Sequence, residues 1–435
     1  MARFIYTLAV LALLPWAVLH LLWRARRQPE YLRHWGERFG FFATTSPAPT
    51  VWLHAVSVGE TRAAQPLVAA LRQRYPKHRI LFTHMTPTGR ATSEALFGDD
   101  VERIYLPYDT PWAVRRFLRH YRPAFGLIME TELWPNLITA CREAAMPLCL
   151  VNARLSQRSA KRYGSFPALT REALQGLATI GAQSADDAAR FTALGARGAT
   201  VTGNIKFDIE APSAQLELAR ELRARCGSRP VWLAASTREG EEALILDAWK
   251  RVGAGGTAQP NPRQTESDIA KAANAALLVI VPRHPQRFEE VARLATERGF
   301  SVQRRSENAA VAPSTQIVIG DSMGEMFAFY AAADIAFIGG SLLDFGSQNL
   351  IEAAACGTPI LIGPSTRNFA EAAREAVACG AARTIVDAGN LVRQVLDLLA
   401  DDASRRAMGT AGRAFAERHR GATARTLDLI TAAVR

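Results

Sequence analysis

The chain reads as a two-lobed parallel α/β protein with an apolar helix at its N-terminus. Three observations predict this. At 435 residues it exceeds what one ordinary core fills and suits two Rossmann-sized lobes. Short apolar runs alternate with amphipathic helical patterns in two successive series, as expected for parallel sheets covered on both faces. The stretch Phe4 to Trp23 contains no Asp, Glu, Lys or Arg, and about twenty residues at helical rise match the roughly 30 Å hydrocarbon core of a bilayer.

The apolar stretch predicts a membrane anchor over residues 1–27. Arg3 flanks one end, Arg24, Arg26 and Arg27 flank the other, and Trp16 and Trp23 suit an interface. The positive-inside rule then places the rest of the chain on the cytoplasmic side. A cleaved signal peptide fits poorly, because the apolar run is long and Arg24-Ala-Arg-Arg27 follows it in place of small residues. Pro15 and His20 weaken a spanning helix, so a helix lying on the membrane surface stays open. Tyr31 to Phe42 alternates arginines with aromatics, which suits a headgroup-binding segment or a short packed turn.

The first lobe is expected over 28–212. Val51–Ala55 reads as a buried strand, followed by a loop at Val56–Gly59 and a helix from about Glu60 whose apolar face is Ala64, Leu67, Val68, Leu71 and Tyr75. Further strands are expected at Arg79–Thr83, Val101–Leu106, Phe125–Met129 and Pro147–Val151, with helices between them. The second lobe is expected over 213–435, with strands at Val231–Ala235, Ala276–Val281, Gln316–Gly320, Ile335–Ile338 and Pro359–Ile362. The linker falls near Phe207–Ala214, where sheet patterning stops and a polar helix begins. Gly253–Ala275 reads as a surface insertion. The Ala-rich C-terminal helices are counted with the second lobe, with room to pack back across a cleft.

Composition narrows the function. With 49% hydrophobic and 21% charged residues the chain is globular rather than disordered. A formal charge of +11, carried mostly by arginine, suits an anionic partner such as a phospholipid surface or a phosphorylated substrate, or simply an Arg-rich proteome. No zinc-finger spacing, RNP motif or basic heptad array supports nucleic acid as the partner. The five cysteines are scattered and never form CxxC, so neither a disulfide frame nor a zinc site is expected.

In open parallel sheets, ligands bind beyond the carboxyl ends of the strands, so the loops there carry the chemistry. His54-Ala-Val-Ser-Val-Gly-Glu60 enters a helix, and Glu60 at its start is a helix cap or a functional carboxylate. Glu130-Thr-Glu-Leu-Trp-Pro-Asn136 puts two carboxylates after an apolar strand, where they are costly unless they act or pair with a cation. Otherwise the segment is a helix start with Pro135 in the first turn. Gly203-Asn-Ile-Lys-Phe207 sets a lysine, Lys206, at the junction of the lobes, where it neutralises an anion or is simply a surface residue. In the second lobe, Pro282-Arg-His-Pro-Gln-Arg287, Asp321-Ser-Met-Gly-Glu325, Gly339-Gly-Ser341 and Gly346-Ser-Gln-Asn-Leu-Ile-Glu352 each follow a strand. Together they suit a nucleotide pocket built from arginines and helix N-termini. There is no Walker A sequence, no dinucleotide GxGxxG after the first strand, and no Asp-x-Asp at a strand end. No cofactor and no obligatory metal are expected.

Six ordered segments carry a family resemblance: Ser57-Val-Gly-Glu60, Glu130-Thr-Glu-Leu-Trp-Pro-Asn136, Gly203-Asn-Ile-Lys-Phe-Asp208, Pro282-Arg-His284, Gly320-Asp-Ser-Met-Gly-Glu325 and Gly346-Ser-Gln-Asn-Leu-Ile-Glu352. They resemble the Kdo (3-deoxy-D-manno-octulosonic acid) transferases of lipid A biosynthesis, from the anchor to the C-terminal helices. The resemblance implies a GT-B fold, two Rossmann-like lobes facing a central cleft. It also implies CMP-Kdo as donor, lipid IVA as acceptor and inversion at the anomeric carbon. Glu60 matches the general base, and Glu130 and Lys206 match positions that stabilise the transition state. Arg283, His284, Met323, Gly324, Glu325, Asn349, Leu350, Ile351 and Glu352 match the CMP-binding segments. The implied partners are CMP-Kdo, lipid IVA and the anionic inner-membrane surface. Two rival readings are a GT-B lipid glycosyltransferase that uses a UDP-sugar, and a non-catalytic membrane-anchored binding protein of the same fold.

Overall fold

The computed structural model describes residues 1–42, 48–253 and 272–434. Residues 254–271 of the expected insertion Gly253–Ala275 lie outside the described residues. The chain divides into two compact units, one of Met1–Ile209 with His419–Arg435 and one of Glu210–Arg418.

The first unit is built on a seven-stranded sheet. Its strands are β1 (Thr50–His54), β2 (Arg79–His84), β3 (Val101–Tyr105), β4 (Pro123–Met129), β5 (Leu148–Ala153), β6 (Thr179–Ala182) and β7 (Thr200–Val201). Their order is β3-β2-β1-β4-β5-β6-β7, and every pairing is parallel. Helices cover both faces, so the central strands are near-continuous apolar runs, as in Val51, Trp52 and Leu53 of β1, which are fully buried. From β1 the chain first winds toward β3, then crosses to β4 and winds the other way. The carboxyl ends of β1 and β4 therefore flank the topological switch point, where such sheets bind ligands.

The second unit repeats the plan with β8 (Val231–Thr237), β9 (Leu277–Pro282), β10 (Val302–Arg304), β11 (Ile317–Ile319), β12 (Ile335–Ile338), β13 (Ile360–Ile362) and β14 (Ala382–Thr384). The order is β10-β11-β9-β8-β12-β13-β14, and its switch point lies between β8 and β12. The ten strands read from apolar runs are all present within a few residues. The other four, β6, β7, β10 and β14, are two to four residues long. Three of these lie at sheet edges, where burial demands no apolar run.

The last helix departs from the sequence reading, which counted all the C-terminal helices with the second lobe. Helix Ala422–Ala433 belongs to the first unit. Asp208 explains it, since its carboxylate accepts hydrogen bonds from the backbone N–H of Gly421 (2.7 Å) and of Thr423. Those donors sit at the helix start and have no partner within the helix. Ala422 and Ile430 then complete a core with Leu53, Leu67 and Val151.

At the other end, Ala2–Ala25 forms one helix through Pro15. Among the described residues it is the helix long and apolar enough to cross a membrane, and only Leu21 and Ala25 of it are buried. The arginine–aromatic segment after it is a packed turn. Two 3-10 turns, Pro29–Leu32 and Trp35–Phe39, bury Arg38, which donates to the carbonyl of Met85 (3.1 Å) and lies 4.0 Å over the Tyr105 ring. Trp35 and Phe41 stay exposed.

Candidate active site

In the first unit the expected residues gather beyond β1, β4 and β5. The chain leaves β1 at His54 and enters the short helix Val58–Ala63. Ser57 caps it, its Oγ accepting from the Glu60 backbone N–H (3.3 Å). Glu60 reaches back: Oε2 accepts from the Val56 N–H (2.8 Å) and Oε1 from the Ser57 hydroxyl (2.9 Å). Ser57 thus caps the helix, and Glu60 reaches back past it to the Val56 backbone, a relative of the capping box in which the residue before the cap supplies the N–H. Burial, and then the negative charge of Glu130, outweigh these bonds and push the Glu60 carboxyl up to about 7. A carboxylate poised near neutrality is what a general base needs. Capping and acid–base chemistry are therefore compatible here, because the cap fixes the carboxylate that burial tunes.

Glu130 is the first residue after β4 and takes a left-handed backbone, φ +60°, uncommon for a residue with a side chain. Neighbouring bonds hold the turn. Its N–H donates to the carbonyl of Val151 (3.0 Å), and the Thr131 hydroxyl donates to the carbonyl of Arg154 (2.6 Å). Lys206 Nζ donates to Glu130 Oε1 at 2.9 Å, with both side chains about 15% exposed (16% and 15%). Burial alone would raise the Glu130 carboxyl, but the Lys206 ammonium and the Arg154 guanidinium together hold it below the usual range. Glu132 is shifted the opposite way, upward, by burial and by Glu130. Lys206 is placed by its own turn, Ile205–Asp208. Asn204 Oδ1 accepts from the Lys206 N–H (3.0 Å), and Asn152 Oδ1, at the end of β5, accepts from the Ile205 N–H (3.1 Å). One compact unit thus joins a carboxyl held near neutrality, a carboxylate held below the usual range and two cations.

In the second unit, the segments after β9, β11 and β12 carry the expected nucleotide-binding residues, and the loop after β8 packs beside them. Arg283 and His284 follow β9, and Arg283 Nε donates to Gln348 Oε1 (3.1 Å). Burial, and then the guanidinium groups of Arg238, Arg283 and Arg287, hold His284 below its usual range. That local positive field suits a phosphate. Arg287 is committed to Glu242 (2.7 and 3.1 Å) and Glu290, so it contributes field and rigidity. The fully buried Glu241, which opens the helix after β8, accepts N–H bonds from Arg238 (2.8 Å) and, after β12, from Gly340 (2.6 Å) and Leu342 (2.9 Å), binding the loop after β8 to the glycine turn. Gly339 is required there, because a Cβ would stand 2.6 Å from the carbonyl oxygen of Ser236.

The remaining expected residues split. Met323 is exposed and Gly324 has φ +81° with open space around it. Glu325, just before helix Met326–Ala332, is ion-paired to Arg305 (3.1 Å) and accepts from the Ser322 hydroxyl (2.5 Å). Asn349 donates to Glu352 (3.0 Å) and accepts the Ile351 N–H (3.0 Å). Leu350 and Ile351 are buried. Among the described residues no group of three or more His, Cys, Asp or Glu is placed to hold a metal ion.

Comparison with known proteins decides the family. Residues 33–209 match the family model for 3-Deoxy-D-manno-octulosonic-acid transferase (kdotransferase), and residues 268–415 match that for Glycosyl transferases group 1. A 3-deoxy-D-manno-octulosonic acid transferase of Bordetella pertussis is 44% identical over 99% of both chains. One of Haemophilus influenzae is 38% identical over 99% of this chain and 98% of its own. The chain belongs to the Kdo transferase family.

The fold agrees with a wider class. The UDP-GlcNAc 2-epimerase of Neisseria meningitidis superposes with a TM-score of 0.58 at 14% identity, covering 88% of this chain and 99% of its own. This Kdo transferase is a glycosyltransferase by its family models, and its two parallel sheets give it a GT-B-type fold. Three residues of its sites escape a reading by motif. Arg154 follows β5, Arg238 follows β8, and Glu241 opens the helix after it. Each follows the carboxyl end of an apolar strand, so the strand-end rule, applied to every strand and not only to the six motifs, would have found them.

Proposed function

We propose that this Kdo transferase moves Kdo from CMP-Kdo onto lipid IVA, with inversion at the anomeric carbon. The observation that carries the chemistry is the Glu60 carboxyl, pushed to about 7, beside the Glu130–Lys206 pair. Glu60 takes the proton of the acceptor hydroxyl as the new C–O bond forms on the face opposite the leaving group. The sugar becomes oxocarbenium-like as its bond to CMP breaks, and the Glu130 carboxylate offsets that charge. Lys206 keeps Glu130 ionised and orients it. The departing phosphate of CMP is met by Arg283, with Arg238 and His284 beside it. An acylated, phosphorylated acceptor suits an enzyme with an apolar N-terminal helix and exposed arginines next to it.

Mass spectrometry of lipid IVA incubated with the enzyme and CMP-Kdo tests this reading. The expected result is a gain of one or more Kdo residues. No gain with CMP-Kdo, together with transfer from a UDP-sugar, would replace it.

Because side chains meet the leaving phosphate, turnover is expected to survive EDTA when purified CMP-Kdo is supplied. Full inhibition reversed by Mg²⁺ alone would overturn that. A coupled CMP-Kdo synthetase must be left out of the assay, since its own metal need would confuse the result.

Removing residues before Gln28 is expected to leave a folded protein that still binds CMP. The helix's buried apolar residues, Leu21 and Ala25, join only a small cluster with Tyr31 apart from the sheet cores, and its other ties are polar contacts at its start. Flotation with anionic liposomes should weaken without vanishing, because Arg33, Trp35 and Phe41 remain exposed. Equal flotation of the two forms would show that the helix is not the main anchor.

A further inference from the structure

The N-terminal helix is apolar and long enough to span a bilayer, yet it is tied to the first unit in a way that spanning forbids. At its start, the Tyr6 hydroxyl donates to Asp109 Oδ2 (2.9 Å), Thr7 Oγ1 lies 3.0 Å from Asn136 Oδ1, and Arg3 lies 3.7 Å from Glu143. Asp109 is itself buried and accepts the backbone N–H of Asn136 (3.0 Å) and Leu137 (2.8 Å). The contact is therefore part of the unit's own hydrogen bonding and no loose surface touch. At the other end, Arg24 lies 4.3 Å from the Tyr31 ring centroid. The chain then reaches Arg38, whose carbonyl accepts the N–H of Tyr108 (2.8 Å). Tyr108 and Asp109 are consecutive, so neighbouring residues hold the segments on both sides of the helix.

A helix of 24 residues is about 36 Å long. Crossing a hydrocarbon core of roughly 30 Å would carry Arg3, Tyr6 and Thr7 to the far side of the bilayer. They cannot be there and bonded to Asp109 and Asn136. The exposure pattern agrees. Tyr6, Val10, Leu14, Val18 and Leu21, spaced by three or four residues, form the less exposed stripe, and the helix packs on helices Pro135–Glu143 and Pro167–Gln175. Phe4, Leu8, Trp16, Leu19 and Trp23 are each more than half exposed, from 51% to 66%. A helix with one edge on protein and an apolar face free suits the interface plane of one leaflet.

We propose that Ala2–Ala25 lies in the plane of a single membrane leaflet, its inner edge bonded to the first unit and its free face among the acyl chains. The exposed Arg24, Arg26, Arg27 and Arg33 meet anionic headgroups beside it. Asp109 joins Tyr6 to Asn136 in the first turn of helix Pro135–Glu143, so the membrane-bound helix also supports the helix start that follows the Glu130 turn. This deepens the lipid-acceptor reading and rests on it for its purpose, while the protease and salt readouts below do not depend on transfer.

The full-length enzyme carrying one epitope tag at its N-terminus and another at its C-terminus is expressed in a Gram-negative host. Spheroplasts and inverted inner-membrane vesicles, the latter washed with high salt, are treated with protease. The expected result is that both tags are digested in inverted vesicles and neither in spheroplasts. Digestion of the N-terminal tag in spheroplasts, or its protection in inverted vesicles that lose the C-terminal tag, means the helix spans and overturns the proposal. Release of the protein by the salt wash overturns it too, since an apolar face among acyl chains resists salt. Loss of Kdo transfer in the same preparation would count against the proposed reaction and leave the topology result standing.

Discussion

Glu60→Gln is expected to lower the rate of Kdo transfer by roughly 10²-fold or more, the usual contribution of a general base, while leaving a stable protein. Gln at the third helix position keeps the size and shape of Glu60. Its oxygen can still accept the Val56 N–H, and its amide can donate to Ser57 Oγ, in place of the bonds seen at 2.8 and 2.9 Å. Stability should therefore change by no more than about 1 kcal/mol. CMP affinity should hardly move, since the residues expected to bind CMP belong to the second unit. The wild-type enzyme should also gain activity as pH rises through about 7, where the Glu60 carboxyl loses its proton, and not through the lower range of an ordinary carboxylate. Thermal unfolding, CMP titration and single-turnover transfer on one preparation decide the matter. A stable Glu60→Gln enzyme that binds CMP and transfers Kdo near the wild-type rate would leave Glu60 as a cap alone and make Glu130 the next carboxylate to test.

Lys206→Met is expected to cost about 10²- to 10³-fold in kcat, the scale of losing one preorganised electrostatic group at a reacting centre. Methionine keeps most of the lysine stem and removes the charge. Glu130, 15% exposed, then keeps the Arg154 guanidinium but loses its bonded partner at 2.9 Å. Breaking a buried pair costs about 3–5 kcal/mol. The partial exposure and the remaining arginine put the expected loss at or below the lower end of that range. The Glu130 carboxyl should rise toward its ordinary range, which a carboxylate-sensitive infrared or NMR titration can follow. Unchanged transfer with an unchanged melting temperature would take Lys206 out of the mechanism.

Much of this was legible because parallel strands buried on both faces are nearly all apolar, as in Leu277–Pro282 and Ile335–Ile338, and such runs stand out in any window. The same patterning says nothing of β7 or β14, whose two or three residues need no apolar run. The six motifs were visible as residue types after strands. Their partners were not, because Arg154, Arg238 and Glu241 belong to none of those motifs and gain meaning only from what they touch.

The sequence by itself determined the two parallel sheets, the apolar N-terminal helix, the strand-end loops and the family. All of these depend on local periodicity and short motifs, which a linear chain displays. Tertiary structure alone decided that Lys206 meets Glu130 across 76 residues and that Asp208 draws the last helix onto the first unit. It also decided that Tyr6 binds Asp109 from 103 residues away. These are contacts between polar groups far apart in sequence, made because each group, once buried, must find a partner. No window of sequence records which partner the fold will bring.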